Sequence, residues 1–258
     1  VGFISKIASL LSDRSRTPRT APIDKNLIFD IGLNTGQDAE FYLKKGFRVV
    51  AVEANPAIAE KAQERLAHFG PQLRIVKRGI GPNDGVLPFY VSRRHHEQST
   101  FLKEYTEGWD LGYDEIQVPV GSVIPIIAEF GTPYYMKIDI EAWDMVVLSQ
   151  LKETDYRPTF ISVETGPTTD WVDALEGLGY TGFKLVNQSK NPEMTPPKPA
   201  KEGQYTQHVF EWGTSGLFGD EIPGEWRTSD VVRRQWRAHI DAGFPEGLWF
   251  DIHARWPK

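Results

Sequence analysis

The sequence contains no cysteine in 258 residues, which excludes disulfide frameworks, zinc ribbons, thiol nucleophiles and iron–sulfur ligation. It has no basic surplus either. Lys and Arg number 29 against 35 Asp and Glu, and the resulting charge of −6 speaks against a dedicated nucleic-acid binder. No apolar run approaches the roughly 18 residues of a membrane-spanning helix, and mean hydropathy is −0.40. What is present, 40% hydrophobic and 25% charged residues, excludes a wholly disordered chain. These features predict a soluble domain for a reducing, cytoplasmic compartment, long enough to bury about three quarters of its unfolded surface without a staple.

Residues 1–25 stand apart. Lys6, Arg14, Arg16, Arg19 and Lys25 face only Asp13 and Asp24, and Phe3, Ile4, Ile7, Leu10 and Leu11 recur at helical spacing. The basic residues mostly follow the apolar stretch, and no small-residue cleavage site is evident, so a secretory leader fits poorly. A short amphipathic helix is expected. It packs either on its own domain or a second copy, giving a homo-oligomer, or through residues 1–20 on an anionic membrane surface.

From Asn26 onward short apolar runs alternate with segments of 3.6-residue period, the pattern of an α/β domain with a largely parallel sheet. Strands are predicted at Leu27–Ile31, Arg48–Glu53, Leu73–Lys77, Val86–Val91, Tyr134–Ile138, Phe160–Glu164, Phe183–Val186, Tyr205–Trp212 and Leu248–Trp256. Helices are predicted at Asp38–Lys45, from Pro56 to Phe69, at Trp143–Leu151, at Thr169–Leu178 and at Ser229–Ala242. The Pro- and Lys-rich connection Asn191–Gly203 reads as exposed and mobile. The chain divides into a basic arm (1–25), a main domain (26–212) and an aromatic extension (213–258).

The strongest local signal is Gly32-Leu33-Asn34-Thr35-Gly36, a glycine turn between a buried strand and a helix. Gly32 lets a ligand lie against the backbone, and Gly36 lets the helix start pack closely. A dinucleotide fingerprint wants a second glycine where Asn34 stands, so a pyrophosphate is poorly served and a nicotinamide-dependent oxidoreductase is the weaker reading. S-adenosylmethionine carries no phosphate and suits a looser turn. Glu53 ends the second strand about 20 residues on, where an acid accepts hydrogen bonds from ribose hydroxyls.

Three segments then carry a resemblance. Asp30-Ile31-Gly32-Leu33-Asn34-Thr35-Gly36, Val52-Glu53-Ala54-Asn55-Pro56 and Lys137-Ile138-Asp139-Ile140-Glu141 resemble, in order and spacing, the FkbM-type methyltransferases, class I enzymes dependent on S-adenosylmethionine. The resemblance runs from about Asn26 to Val186. It implies a Rossmann-like class I methyltransferase fold: a largely parallel seven-stranded sheet with one antiparallel strand and helices on both faces. It also implies O-methylation of a hydroxyl on a sugar, polyketide or other small natural product. By position, Asp30, Gly32, Asn34 and Gly36 would line the methionine portion, Glu53 the ribose, and Gly79 and Ile80 the adenine, with Ala54 and Asp139 as further cofactor-binding candidates. Ser99, within Gln98-Ser99-Thr100, would lie near the cofactor. The chain departs from the family pattern at Glu141-Ala142-Trp143-Asp144 and at Gly121-Ser122-Val123. A non-catalytic adenosyl-binding or assembly protein remains the alternative function.

Catalytic candidates follow from strand alternation. Lys137, Asp139 and Glu141 point to one side of a central strand, where charge is costly unless paired or used. A carboxylate there either deprotonates a substrate hydroxyl, holds Mg²⁺ together with Glu141 and Glu164, or forms a structural ion pair with Lys137. His208, placed on the strand Tyr205–Trp212 at the cleft mouth, is a further base candidate. His95 and His96 read as exposed loop residues. Five of 8 tryptophans (Trp212, Trp226, Trp236, Trp249 and Trp256) fall in the last third. They fill a second small core or an interface; alternatively Trp212–Trp226, with Gly213–Gly219, form a lid that shapes the pocket for a small-molecule or glycan acceptor.

Overall fold

A computed structural model describes residues 21–106, 112–141, 143–243 and 249–257. The helix expected at the start of the chain lies outside these residues. In chain order the elements are β1 (Ile23–Ile31), α1 (Gln37–Lys44), β2 (Arg48–Glu53), α2 (Pro56–Arg65), β3 (Leu73–Lys77), β4 (Gly79–Ile80), β5 (Gly85–Ser92) and β6 (Tyr113–Gly121). They continue with α3 (Ile124–Phe130), β7 (Thr132–Ile138), α4 (Asp144–Lys152), β8 (Phe160–Glu164), α5 (Asp170–Gly177), β9 (Gly182–Asn187), α6 (Ser229–Asp241) and β10 (Phe250–Arg255).

Seven strands form one sheet in the order β3-β2-β1-β7-β8-β10-β9. All pairs are parallel except those of β10, which runs antiparallel between β8 and β9. This is the Rossmann-like class I methyltransferase fold. Both faces of β1 are covered, as a central parallel strand requires. Leu27, Phe29 and Ile31 join one apolar core with Met136, Ile138, Val147 and Leu175, while Ile28 joins the other with Phe41, Tyr42, Tyr135 and Phe218. Asp30 and Lys137 lie on that second face by alternation, and both are buried. The chain leaves β1 toward β2 on one side and returns to pair β7 on the other. The switch point therefore opens at the carboxyl ends of these two strands, where such sheets bind ligands.

Helix starts follow local chemistry. The Asn55 side chain accepts a hydrogen bond from the Ala57 amide at 3.0 Å and Pro56 opens α2, so the helix begins where its N-terminal amides are answered. It ends at Arg65, short of the expected Phe69, because the chain tightens into a 3₁₀ segment (Ala67–Gln72) around Gly70, whose φ is +54°.

Three expectations need correction. β6 and α3 were not anticipated; β6 is the central strand of a separate three-stranded sheet, β4-β6-β5. Residues 205–212 form no strand, and the segment is held instead by Phe210, whose buried ring meets Phe41 edge-on at 4.8 Å. The Asn191–Gly203 connection is anchored rather than loose. Asn191 and Glu202 are both buried, and Glu202 accepts from the Tyr134 hydroxyl at 2.7 Å. Beside it, Lys45 and Glu221 form a fully buried ion pair at 2.8 Å, and Glu221 also accepts the Lys201 amide at 3.1 Å.

Candidate active site

The carboxyl ends of β1, β2, β7 and β8, with the amino end of the antiparallel β10, open into one cavity of about 1130 Å³. That is enough for a nucleoside-sized cofactor and an acceptor side by side. Its floor is the crossing of β1 and β7. The Asp139 amide donates to the Ile31 carbonyl at 2.9 Å, and the Gly32 and Leu33 amides both donate to the Val52 carbonyl at 3.0 Å. Gly32 has φ +95°, and a Cβ built there would stand 1.8 Å from the Asp139 carbonyl oxygen. Only glycine permits this approach.

Glu53 lines the cavity from the end of β2. Its two oxygens accept the Asn34 and Asn55 amides, each at 2.8 Å, which aims the carboxylate while leaving lone pairs for a ligand's hydroxyls. Burial pushes its pKa upward against these hydrogen bonds. Asn34 holds φ +50° and Glu141 φ +49°; both are non-glycine residues in the left-handed region and both line the cavity. Strain of this kind persists where the surrounding structure enforces it, and it clusters at ligand sites. The Asn34 Oδ1 is buried with no hydrogen-bond partner, an acceptor left for a ligand.

Of the sequence candidates, Gly32, Asn34, Glu53, Ala54, Gly79, Ile80, Ser99, Asp139, Glu141 and Glu164 all line the cavity. Ser99 has its hydroxyl engaged already, donating to the His96 carbonyl at 2.7 Å and accepting the Ser92 amide at 3.2 Å. Asp30 and Gly36 sit behind the wall. Gly36 lets the start of α1 lie against Leu66, whose Cδ1 would be 2.8 Å from an added Cβ. Asp30 is fully buried beneath the floor, 3.3 Å from the Lys137 ammonium.

Lys137 organises that floor. Its ammonium lies 3.3 Å from Asp139, 3.5 Å from Asp38 and 3.0 Å from the Gly32 carbonyl. Burial alone would strip its charge, but Asp30, Asp139 and Asp38 together hold its pKa well above the ordinary lysine range. Asp30 is pushed up to about 7, chiefly by burial. Asp38, which the sequence reading missed, also accepts the Ser215 amide at 2.9 Å and so ties the C-terminal segment to α1.

From the floor toward the far wall, Asp139, Glu141 and Glu164 offer carboxylate oxygens within 4.8 Å of one another. Burial, then the neighbouring Asp139, raises Glu141 to about 8 and Glu164 well above the ordinary range. Asp144 rises to about 7 for the same reasons, in the same order.

The histidine and lid readings are corrected. His208 lies in a separate small polar recess with Gln37, Glu40, Lys44 and Arg65, its ring 4.9 Å from that of Phe41. Burial lowers its pKa. His96 reaches the cavity wall, while His95 is exposed. Trp212, Thr214 and Ser215 line the cavity, but Trp226 stacks on Phe160 at 5.6 Å and donates to Asp220 at 2.7 Å, outside it. The Gly213–Gly219 stretch is pinned, not hinged. Phe218 is fully buried and stacks on Tyr135 at 4.7 Å, and the Asn191 side chain donates to the Thr214 carbonyl at 2.5 Å.

Comparison with known proteins gives a family model, described as the methyltransferase FkbM domain, that matches residues 30–182. No curated protein sequence matches. Among solved structures the chain is similar to precorrin-6y C5,15-methyltransferase from Geobacter metallireducens (14% identity, 100% of this chain and 90% of that one, TM-score 0.40). It is also similar to 1,6-didemethyltoxoflavin-N1-methyltransferase from Burkholderia thailandensis, solved with S-adenosylhomocysteine (12% identity, 99% and 78%, TM-score 0.37). A third is an S-adenosylmethionine-dependent O-methyltransferase from Thermotoga maritima (13% identity, 98% and 64%, TM-score 0.38).

Proposed function

Since the chain belongs to the FkbM methyltransferase family, whose members use S-adenosylmethionine, we propose that it methylates a hydroxyl oxygen of a small-molecule or glycan acceptor held in the cavity above β1 and β7. The observation that carries this reading is the cradle at Gly32, where backbone stands in place of a side chain, flanked by the anchored carboxylate of Glu53 and the unanswered Asn34 oxygen. These groups fit an adenosyl ligand bearing a sulfonium and an ammonium. Bound there, S-adenosylmethionine supplies a methyl group on a positively charged sulfur, open to in-line attack.

The chain's own residues have three tasks in this reading. Glu53 receives ribose hydroxyls, and Gly79 and Ile80 border the base. Asp139, positioned by Lys137 at the cavity floor, takes the acceptor's proton as the oxygen is alkylated. Holding the acceptor oxygen behind the methyl group supplies most of the rate, so walls that fix its orientation matter as much as the base. Asp139, Glu141 and Glu164 are also hard oxygen donors of the kind Mg²⁺ takes, and an ion there would acidify the hydroxyl. Turnover unaffected by chelators removes that variant. A cytoplasmic location belongs to the same proposal.

Calorimetry should give micromolar-range binding of S-adenosylhomocysteine and no preference for NAD; tighter NAD binding overturns the reading. Glu53→Ala is expected to weaken S-adenosylhomocysteine binding by about 1–3 kcal/mol, because the Asn34 and Asn55 amides and the ribose hydroxyls all lose their acceptor. An unchanged affinity removes Glu53 from the site. With labelled S-adenosylmethionine and a panel of hydroxylated glycans and polyketides, Asp139→Asn is expected to lower turnover by roughly 10²-fold in a folded protein. Near-normal turnover moves the base elsewhere.

A further inference from the structure

The cavity holds more carboxyl groups than transfer of a methyl group to a neutral hydroxyl uses. β7 and β8 run in parallel register through Ile138 and Val163, and β8 and β10 pair Glu164 directly with Asp251. The next residues along, Asp139, Glu164 and Asp251, therefore form a row of carboxylates across the ends of three adjacent strands. Like charges placed opposite each other across strands are destabilising. Asp139 has Lys137 to answer it, whereas Glu141, Glu164 and Asp251 have neither a hydrogen bond nor an ion pair from their side chains among the described residues.

Two further observations, one within that row and one outside it, point to an occupant. Asp251 is only 6% exposed, yet its unpartnered carboxylate lines the cavity. Gln188, 1% exposed, lines the same end; its Oε1 accepts the Asn191 side chain while its Nε2 is buried with no acceptor. Around them the cavity wall is aromatic. Trp171 and Trp249 both contribute, the latter set edge-on to Trp212 at 4.3 Å. Carboxylates backed by aromatic rings are the surroundings that favour an organic cation.

We propose that Glu141, Glu164 and Asp251 form a subsite for a protonated amine carried by the methyl acceptor. The acceptor is then a hydroxylated amine, such as an amino sugar or amino alcohol, and the Gln188 Nε2 donates to one of its oxygens. The inference rests on the methyl-transfer reading above and assigns the class of its substrate. A bare divalent ion among Asp139, Glu141 and Glu164 leaves Asp251 and the Gln188 amide unanswered, whereas an ammonium on a hydroxylated frame reaches both.

The test is calorimetry on the full chain saturated with S-adenosylhomocysteine. The probes are glucosamine, galactosamine and serinol, each titrated against its N-acetyl counterpart, which keeps the hydroxyls and removes the charge. The expected result is at least tenfold tighter binding of the amines. Asp251→Asn and Glu164→Gln, both close in shape to the residues they replace, should each cut amine affinity at least fivefold while S-adenosylhomocysteine affinity changes less than twofold. Equal affinity for amine and N-acetyl forms, no amine binding in the loaded protein, or an amine preference lost on chelation and restored by Mg²⁺ overturns the inference. Failure of S-adenosylhomocysteine itself to bind overturns the methyl-transfer reading instead, and the subsite with it.

Discussion

Gly32→Ala is expected to abolish measurable S-adenosylhomocysteine binding, with an affinity loss of about 100-fold or more, while leaving a folded protein of reduced stability. At φ +95° any L side chain is strained, by roughly 1–2 kcal/mol. The larger effect is spatial. The added Cβ falls 1.8 Å from the Asp139 carbonyl, a backbone atom that cannot swing aside. Relief requires β1 and β7 to part at their carboxyl ends, which breaks the contact between the Lys137 ammonium and the Gly32 carbonyl and moves Asp139. Overpacking of this sort costs about 1–3 kcal/mol, tolerable within the roughly 5–15 kcal/mol of a typical domain. Circular dichroism reports the fold and calorimetry the ligand. Wild-type affinity in the variant would place the cofactor away from this turn.

Lys137→Met should be the most destabilising single change at the site. It leaves Asp30 fully buried, with both oxygens already lacking hydrogen bonds, and removes the one cation that Asp30, Asp38 and Asp139 share. Removing one partner of a buried ion pair costs about 3–5 kcal/mol. The deficit should also depend on pH in a definite direction. Asp30 sits near 7 even with the lysine present, raised above its unfolded value by burial, and losing the lysine raises it further. A carboxyl whose folded pKa is raised keeps its proton at low pH without penalty, and the native state loses stability as pH climbs toward the folded pKa. Lys137→Met should therefore lie closer to wild type at pH 5 than at pH 8 in denaturant titrations, and adding Asp30→Asn should recover much of the loss. A pH-independent deficit, or one under about 1 kcal/mol at pH 8, means the charges on this floor are answered some other way.

The parts legible in the sequence were those fixed by local pattern. β2, β3 and β8 occupy the expected limits, Arg48–Glu53, Leu73–Lys77 and Phe160–Glu164, because Val- and Ile-rich runs there end at turn residues. β6 was missed although Ile116, Val118 and Val120 alternate with Glu115, Gln117 and Pro119. Pro119, which has no amide hydrogen to donate, is accommodated there opposite Val86. The reverse error arose at 205–212, where the alternation is real but β10 already flanks β8, so the segment lies over α1 through Phe210 instead of pairing.

At the site, residues close to a glycine turn or a strand end could be read from the chain. Asp38, Asp251 and Gln188 could not, because their importance comes from partners more than a hundred residues away or from a burial that only the sheet order creates. Asp251 and His253 alternate with Phe250, Ile252 and Ala254 as in a strand with one polar face, yet β10 is buried on both faces, where a charge is costly unless something answers it.

The place of β10 also sets the order in which the molecule can be assembled. β9 is made more than sixty residues before β10 in the sequence, yet among the described residues it joins the sheet through β10, which lies between it and β8. During synthesis β8 therefore waits as an open edge and β9 as an unattached strand, both exposing backbone donors and acceptors until the last strand emerges. Pairings so distant in sequence form slowly, because a long loop must close before any contact rewards it. Until β10 is in place the acidic wall of the cavity lacks Asp251, whereas the residues around Gly32 and Glu53 belong to strands made earlier. Protection from aggregation until then falls to the polar ends of these strands and to whatever chaperones meet the chain as it leaves the ribosome.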